Sequence, residues 1–257
     1  MPTIDANGLR IGYDVSGEGP PLILLHGATG SGRDHFAAQR PVLERSFRCY
    51  LPDARGHGTT YWDAAQPLST GDLVADLAGF IDALGLGAFH LLGYSMGGMT
   101  ALHYAIGHPG RLRTLVAVSI SAEREPRLSV GRALMDPERI ERADPVWAGQ
   151  LAARHDPVQG AGSWRRLLPA IVGEIEHQPE LPAHGLRGTE VPTLVAVGDR
   201  DPFVPVDQAW ALARQLRDGR LLVLPRQGHD VLANRPALLN EALLAFYRET
   251  GSMEVPA

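Results

Sequence analysis

Mainly apolar runs recur along the chain, and longer stretches with helical periodicity separate most of them. The six runs are Pro21–His26, Phe47–Pro52, Phe89–Gly93, Leu112–Ile120, Thr193–Gly198 and Arg220–Pro225. Strands without a polar face belong to sheets that are covered on both sides. Strands that alternate with helices form mostly parallel sheets, because each helix carries the chain back across the sheet. We therefore predict an α/β fold with a doubly wound, mostly parallel sheet.

Four stretches repeat apolar residues with the period of an α-helix. They are Leu73–Leu84, Met96–Gly107, Val206–Leu216 and Arg235–Arg248. The first follows Ser69, Thr70 and Asp72, whose short polar side chains are favoured as helix N-caps. We expect helices of this kind to cover the predicted sheet.

Residues 3–15 alternate between apolar and polar side chains on either side of the dipeptide Asn7-Gly8. This dipeptide is strongly favoured in two-residue hairpin turns, where both central residues need a positive φ. The alternation predicts an antiparallel hairpin at the start of the otherwise parallel sheet.

The alternation of strands and helices is interrupted over residues 122–190. This interval has no strong strand pattern, and it contains Trp147, Trp164, several prolines and amphipathic stretches. We predict a helical cap at 122–190, inserted into an α/β core formed by residues 1–121 and 191–257. A cap over the carboxyl edge of the sheet would exclude water and shape a pocket, because ligands bind at that edge. The alternative is a helical excursion without a functional role, and its mixed charges are typical of a solvated face.

All 24 basic residues among the 257 residues are arginines, and the formal net charge is −5. The absence of lysine excludes a P-loop, a lysine Schiff base and a Ser-Lys dyad. No clustered basic face is evident, so neither nucleic acid nor an anionic membrane is expected as a partner.

Cys49 is the only cysteine, so no intramolecular disulfide can form. It lies in an apolar run, which favours a buried thiol over a nucleophile. The N-terminus lacks a basic start and an apolar signal core, and no stretch approaches the ~20 apolar residues that span a bilayer. These observations favour a cytoplasmic location.

The sequence Gly93-Tyr94-Ser95-Met96-Gly97-Gly98 matches the pattern G-x-S-x-G between a predicted strand and a predicted helix. This context is the one that a nucleophile elbow requires, since the sharp turn exposes the serine hydroxyl. The chain crowds itself at such a turn, and the glycines two residues before and after the serine relieve the crowding. We predict that Ser95 is a nucleophile, although an ordinary glycine-rich turn is the alternative.

A nucleophilic serine in a chain without lysine needs another base, and histidine is the usual choice. Among the ten histidines, only His229 lies in a loop directly after the last predicted strand. Loops at strand carboxyl ends reach the same edge, so His229 is the predicted base. His26 and His57 also flank strand ends, and we expect both to hydrogen-bond loop backbone.

The base needs a carboxylate that fixes its tautomer. Asp199 and Asp201 both lie in the loop after Thr193–Gly198. Asp201 is deeper in the loop and is the preferred candidate, whereas Asp199 is better placed to brace the loop. Glu123, which follows another strand, is a third and weaker candidate.

Two backbone N–H groups are expected to stabilise an oxyanion. One belongs to Met96, the residue after the nucleophile, and the other to Ala28 in the loop after Pro21–His26. Loss of one such donor typically lowers a rate by about 10²–10³. The glycines of this loop run G-x-x-G-x-G, so they do not match the dinucleotide-binding pattern G-x-G-x-x-G.

Together these motifs resemble the α/β-hydrolase superfamily. The motifs that carry the likeness are His26-Gly27, Asp53-Ala54-Arg55-Gly56-His57-Gly58, Gly93–Gly98, Gly198–Pro205 and Gly228-His229. The resemblance implies the α/β-hydrolase fold and a triad in the order Ser…Asp…His. It also implies a short helical cap like those of small esterases, lactonases, perhydrolases and carbon–carbon bond hydrolases. Dehalogenases and epoxide hydrolases of this superfamily carry Asp at the elbow, so Ser95 argues against both.

The expected function is hydrolysis of a carboxylic ester, lactone or thioester of a small to medium molecule through an acyl-enzyme. The alternatives are carbon–carbon bond hydrolysis, perhydrolysis, and a ligand receptor with slow turnover. Neither a cofactor nor a metal is implied, because the chain lacks H-E-x-x-H and paired-cysteine spacings. The predicted pocket residues are Thr29, His35, Trp164 and Phe203, and packing in the core is the alternative for the aromatic side chains. The chain is expected to be a monomer or a homodimer.

Overall fold

Eight strands form one sheet within residues 1–253, which are the residues that the computed structural model describes. The strands are β1 (Thr3–Ala6), β2 (Leu9–Ser16), β3 (Pro21–Leu25), β4 (Arg48–Pro52), β5 (Phe89–Tyr94), β6 (Leu112–Val118), β7 (Thr193–Gly198) and β8 (Gly219–Leu224). Their spatial order is β1-β2-β4-β3-β5-β6-β7-β8. The pairs β1–β2 and β2–β4 are antiparallel, and every other pair is parallel. The predicted fold class is therefore confirmed.

The hairpin at the start of the sheet turns at the predicted dipeptide. Asn7 has φ 47° and Gly8 has φ 75°, so both central residues have the positive φ that a type I′ turn requires. Thr3 pairs with Gly12 and Ala6 with Leu9 across this hairpin. The antiparallel start was thus predictable from local turn chemistry.

Twelve helices are present in residues 1–253. They are α1 (Gly32–His35), α2 (Arg40–Leu43), α3 (Thr70–Ala83), α4 (Met96–Gly107), α5 (Arg127–Leu134), α6 (Pro137–Ala143), α7 (Pro145–Gln159), α8 (Trp164–His177), α9 (Ala183–Gly188), α10 (Val206–Gln215), α11 (Val231–Asn234) and α12 (Pro236–Glu249). Helix α3 begins three residues before its predicted start, because the Ser69 hydroxyl accepts a hydrogen bond from the Asp72 amide at 3.1 Å and caps it. Over the described part of the chain, no helix has both the length and the apolar character needed to cross a bilayer.

The sheet is covered on both faces by separate apolar layers. Along β3, Leu22 and Leu24 pack into one layer, whereas Ile23 and Leu25 pack into the other. This division follows from the alternation of side chains along a strand. Helices α3, α4 and α10 cover the second layer, and α12 covers the first. Burial on both sides explains why the strand sequences are apolar throughout.

Helices α5–α9 lie between β6 and β7, within the interval predicted as a cap. They have an apolar cluster of their own, and α8 contributes Leu167, Leu168, Ile171 and Ile175 to it. This spacing places the four side chains along one stripe of the helix. The cluster also includes Met96 from the start of α4, so the segment packs over the edge of the sheet where α4 begins.

Candidate active site

Ser95 lies at the turn between β5 and α4 in a strained backbone conformation. Its φ is 52° and its ψ is −117°, outside the regions that L-residues ordinarily occupy. A Cβ atom at Gly93 would collide with the Gly97 carbonyl oxygen, and one at Gly97 would collide with the Leu25 carbonyl oxygen. The two glycines of the motif are therefore required by close backbone approach.

Three side chains predicted to act together meet at this turn. The Ser95 Oγ lies 3.0 Å from Nε2 of His229. The Nδ1 of His229 lies 3.0 Å and 2.9 Å from the two carboxylate oxygens of Asp201. A histidine held in this way by a carboxylate can take a proton from the serine hydroxyl and remain correctly oriented.

The Asp201 carboxylate is held by the backbone that follows it. Its Oδ1 accepts hydrogen bonds from the amides of Phe203 at 2.9 Å and Val204 at 3.2 Å. The side chain is fully buried. Asp199, the competing candidate, is exposed, and its Oδ1 accepts from the Gln227 amide at 3.0 Å. Asp199 thus braces the loop that carries His229, and it makes no hydrogen bond to the imidazole.

The backbone of His229 is held from the neighbouring strand ends. Its carbonyl oxygen accepts hydrogen bonds from the Tyr94 hydroxyl at 3.3 Å and from the Ser119 hydroxyl at 3.1 Å. The Phe203 ring lies 4.4 Å from the imidazole, measured between ring centroids. These contacts hold the His229 backbone, and the Phe203 ring packs against the imidazole.

The two amides predicted to bind an oxyanion face no internal acceptor. Within residues 1–253, neither the Ala28 N–H nor the Met96 N–H donates a hydrogen bond to another protein atom. Met96 is the first residue of α4, where unpaired amides and the helix dipole favour negative charge. Both residues line the same cavity as Ser95. Backbone donors at this position can stabilise the charge of a tetrahedral intermediate.

His26 and His57 hold the loop after β3, and both bond to backbone as predicted. The Nε2 of His26 accepts from the Ala54 amide at 2.9 Å, and its Nδ1 lies 2.8 Å from the Gly27 carbonyl oxygen. The Nε2 of His57 lies 2.7 Å from the carbonyl oxygen of Ala28. His26 therefore holds the peptide unit that contains the Ala28 N–H, and His57 holds the next one.

Two residues of α7 contact the loops after β3 and β4, and the sequence did not indicate their role. The Arg154 Nη1 donates to the Thr29 carbonyl at 2.7 Å, and its Nε donates to Asp34 at 2.5 Å. His155 is buried, and its Nδ1 accepts from the Gly58 amide at 3.2 Å. The mixed charges of the predicted cap are typical of a solvated face and do not indicate these contacts. No local signal distinguishes Arg154 from its exposed neighbours.

Two buried histidines, His57 and His155 of α7, are expected to make stability fall in acid. Burial lowers the pKa of His57 to about 3 and that of His155 to about 2. In the unfolded chain both bind a proton below pH ~6.5, whereas the folded protein keeps both neutral until much lower pH. Each therefore contributes its full stabilisation above pH ~6.5 and loses about 1.4 kcal/mol per pH unit below it.

We expect the change His155→Leu to flatten this dependence between pH 6.5 and 4. The free energy of unfolding at each pH, from urea titrations, measures the slope. The variant is less stable at neutral pH because the Gly58 amide loses its acceptor. Its free energy of unfolding nevertheless changes less steeply with pH, because one fewer histidine takes up a proton on unfolding. His184→Leu, at an exposed histidine of α9, is the matched control and retains the wild-type slope. An unchanged slope in His155→Leu would contradict the prediction.

A cavity adjoins Ser95 beneath the cap helices. The residues that line it are Ala28, Ser95, Met96, Arg127, Met135, Ile171, Glu174, Ile175, Gln178 and Phe203. A second cavity is also lined by Met96, but Ser95 is not among its lining residues. The first cavity is the one that chemistry at Ser95 can use.

Only one of the four predicted pocket residues, Phe203, lines the cavity at Ser95. Trp164 is 2% exposed and packs inside the apolar cluster of the cap helices. The Nδ1 of His35 accepts from the Gly27 amide at 3.0 Å, and its ring packs edge-on against Tyr94. Thr29 turns its carbonyl oxygen to the guanidinium of α7. The sequence does not report the direction in which a side chain points, so it could not distinguish these three positions from residues of the pocket.

The only thiol lies in the apolar core, and the described residues contain no cluster of metal-binding side chains. Cys49 is completely buried, and burial raises the pKa of its thiol to about 12. Over residues 1–253, no group of three or more His, Cys, Asp or Glu side chains is placed to hold a metal ion.

Comparison with protein families agrees with this geometry. A family model described as the alpha/beta hydrolase fold matches residues 20–164. The chain belongs to the alpha/beta hydrolase fold family. A second model, described as TAP-like protein, matches residues 171–256. The resemblance predicted from the motifs is confirmed, and it assigns the chain to a family of hydrolases.

Individual relatives span nearly the whole chain. A 2-hydroxy-6-oxo-6-phenylhexa-2,4-dienoate hydrolase from Burkholderia cepacia is 28% identical over 261 residues, covering 88% of each sequence. The enol-lactonase of Burkholderia xenovorans LB400 superposes with a TM-score of 0.77 at 23% identity, over 96% of this chain and 100% of that one. A thermophilic esterase from Thermogutta terrifontis superposes with a TM-score of 0.77 at 24% identity, over 97% and 98% of the two chains. At these identities the two solved structures establish the shared fold.

Proposed function

We propose that this protein hydrolyses a carboxylic ester or lactone of a small molecule through an acyl-enzyme on Ser95. The observation that supports this most strongly is the 3.0 Å separation between the Ser95 Oγ and the His229 Nε2. The Asp201 carboxylate contacts the other ring nitrogen of His229, which completes a Ser-His-Asp arrangement. Family membership supports hydrolase activity, and the ester specificity is our proposal.

In the first half of the reaction, His229 accepts the hydroxyl proton while the Ser95 oxygen attacks the ester carbonyl carbon. The Ala28 and Met96 amides donate hydrogen bonds to the resulting oxyanion. The tetrahedral intermediate collapses, the carbon–oxygen bond to the alcohol breaks, and His229 gives its proton to the leaving alkoxide.

In the second half, water replaces the alcohol. His229 takes a proton from the water as its oxygen attacks the acyl carbon, and the same two amides hold the second oxyanion. Collapse releases the carboxylic acid, and the proton returns from His229 to Ser95. For a lactone, the alcohol and the acid leave as one molecule.

Hydrolysis of a carbon–carbon bond is the second candidate function. The curated Burkholderia cepacia relative is named for a dienoate that carries a ketone and an enol but no ester. A hydrolase that acts on such a compound breaks a carbon–carbon bond beside the ketone. The same serine, histidine and oxyanion donors would serve that reaction, with carbon as the leaving atom.

A comparison of substrate classes tests the proposal. We expect a fluorophosphonate probe to label Ser95, as located by mass spectrometry of the digested protein. We also expect turnover of 4-nitrophenyl butanoate and of γ-lactones to exceed that of a 2-hydroxy-6-oxo-dienoate. The identity of each product by liquid chromatography decides which bond has broken. Preferential cleavage of the dienoate would replace ester hydrolysis by the second candidate.

A further inference from the structure

A buried arginine lines the cavity at Ser95. Arg127 is the first residue of α5 and is only 7% exposed. It lines the cavity that contains Ser95, and it also lines an outer groove that includes Arg124. Arg127 is thus shared between the lining of the cavity at Ser95 and that of the outer groove.

The Arg127 side chain has few partners inside the protein. Its single hydrogen bond runs from Nη2 to the Glu123 carbonyl oxygen at 3.3 Å, and its buried Nε has no partner within the described residues. Burial lowers the pKa of this guanidinium to about 10, so it still carries its charge at neutral pH. A buried charge without a partner is costly, because it has lost its hydration.

Arg55 is a second buried arginine of this protein, and its partners differ from those of Arg127. Its side chain is similarly buried, but its Nε and Nη2 donate to both carboxylate oxygens of Asp76 at 2.6 Å and 2.7 Å. This bidentate pairing is the arrangement expected for a buried guanidinium whose role is structural. In residues 1–253, Arg127 has no such carboxylate within ion-pair distance.

The acidic residue in the same cavity, Glu174, attracts the charge of Arg127, but it lies beyond ion-pair distance and does not hold the guanidinium directly. Only Oε1 of Glu174 is engaged, and it accepts from the Thr70 hydroxyl and from the Gln178 amide. Burial raises the pKa of the Glu174 carboxyl, whereas the hydrogen bond from Thr70 and the nearby charge of Arg127 lower it. The amide of Gln178 is therefore also occupied, and Arg127 is the strongest free donor on the cavity wall.

We propose that Arg127 binds a carboxylate of the substrate, so that the molecule hydrolysed at Ser95 is an ester or lactone bearing a separate carboxylate group. This inference rests on the proposed function and specifies its substrate class. The rest of the cavity wall includes the apolar side chains of Met135, Ile171 and Ile175. These side chains suit a short aliphatic chain between the ester and the carboxylate of the substrate. One guanidinium matches the charge and the planar shape of one carboxylate.

Two pairs of esters test this on the wild-type protein. In the first pair the carboxylate is on the acyl side: mono-4-nitrophenyl adipate is compared with its neutral methyl ester. In the second it is on the alcohol side: 4-acetoxybutanoate is compared with 4-acetoxybutanamide. We expect kcat/KM to favour the carboxylate in one pair by about 10- to 100-fold, as is typical of a hydrogen bond to a charged group. A ratio near one or below in both pairs would overturn the inference.

Variants then assign the preference to the guanidinium. Arg127→Met is expected to bring the ratio close to one, and Arg127→Lys to keep part of it because the charge remains. Arg132→Met is the matched control, since Arg132 is an exposed arginine of the same helix that pairs with Glu176. An unchanged ratio in Arg127→Met would contradict the proposal. The ratio is informative even if the substitution lowers stability, which thermal denaturation would report.

A binding measurement separates the failure of this inference from the failure of the proposed function. Calorimetry compares monomethyl adipate with dimethyl adipate in the Ser95→Ala background, where turnover does not interfere. We expect tighter binding of the monoester, and loss of that difference when Arg127→Met is added. If no ester is hydrolysed but the difference is found, the ester chemistry fails and the carboxylate site stands. If esters are hydrolysed and no difference is found, the carboxylate site fails alone.

Discussion

Replacing Ser95 by alanine is expected to lower kcat/KM for 4-nitrophenyl butanoate by about 10⁴-fold or more. The substitution removes the one oxygen that lies 3.0 Å from Nε2 of His229 and therefore the atom that would carry the acyl group. The amides of Ala28 and Met96 remain, so a small residual rate over water is expected from the oxyanion site alone. Spectrophotometric release of 4-nitrophenol measures the effect.

The fold of this variant is expected to persist. Alanine is smaller than serine, and the strained φ of 52° is imposed by the close packing of Gly93 and Gly97 rather than by the hydroxyl. Thermal denaturation should therefore give a transition close to that of the wild type. Ser129→Ala, at an exposed serine of α5, is the control and should keep both turnover and fluorophosphonate labelling. Turnover retained by Ser95→Ala would refute the nucleophile assignment.

The second large effect is expected at Asp201. Asp201→Asn should lower kcat/KM by about 10⁴-fold, as an amide in this position favours the wrong imidazole tautomer. The Asn oxygen can still accept from the Phe203 and Val204 amides, so its NH₂ group then faces Nδ1 of His229. The ring nitrogen that faces Ser95 would then carry a proton and could not act as a base.

Asp199→Asn is the matched control, two residues away and chemically identical. Asp199 is exposed, and an asparagine oxygen can still accept the hydrogen bond from the Gln227 amide. We expect its kcat/KM to stay within about threefold of the wild-type value, as is typical of a substitution that leaves an exposed contact intact. Steady-state assays of both variants at one pH decide the matter. A greater loss in Asp199→Asn than in Asp201→Asn would exchange the two roles.

The main features of the fold could be predicted because their signals are local. Each buried strand is an apolar run, and the Asn7-Gly8 turn carries its own conformational preference. Short helices such as α1 and α11 were not predicted, because a single turn contains too few residues for a period to emerge. Helix α3 started earlier than predicted because its cap, Ser69, begins the helix before its first apolar residue.

In the candidate site, the sequence predicts the catalytic residues better than the residues that line the pocket. Ser95, Asp201 and His229 each follow a strand in the sequence, so the topology of a parallel sheet brings their loops to one edge. The pocket is built by side chains from cap helices, whose direction depends on how those helices pack. Trp164 therefore packs into the cap cluster, whereas Arg127 of α5 reaches the cavity.

The sequence alone determined the sheet, the elbow and the order of the three loops that meet at Ser95. These features depend on the period of apolar residues and on glycines that the local turn requires. Only the tertiary structure decided which aspartate contacts His229, and that Arg127 lies buried without a carboxylate partner in the described residues. The physical reason is that hydrogen bonding and burial are relations between distant segments. A charged residue in an amphipathic stretch has the same local pattern whether it faces water or a cavity.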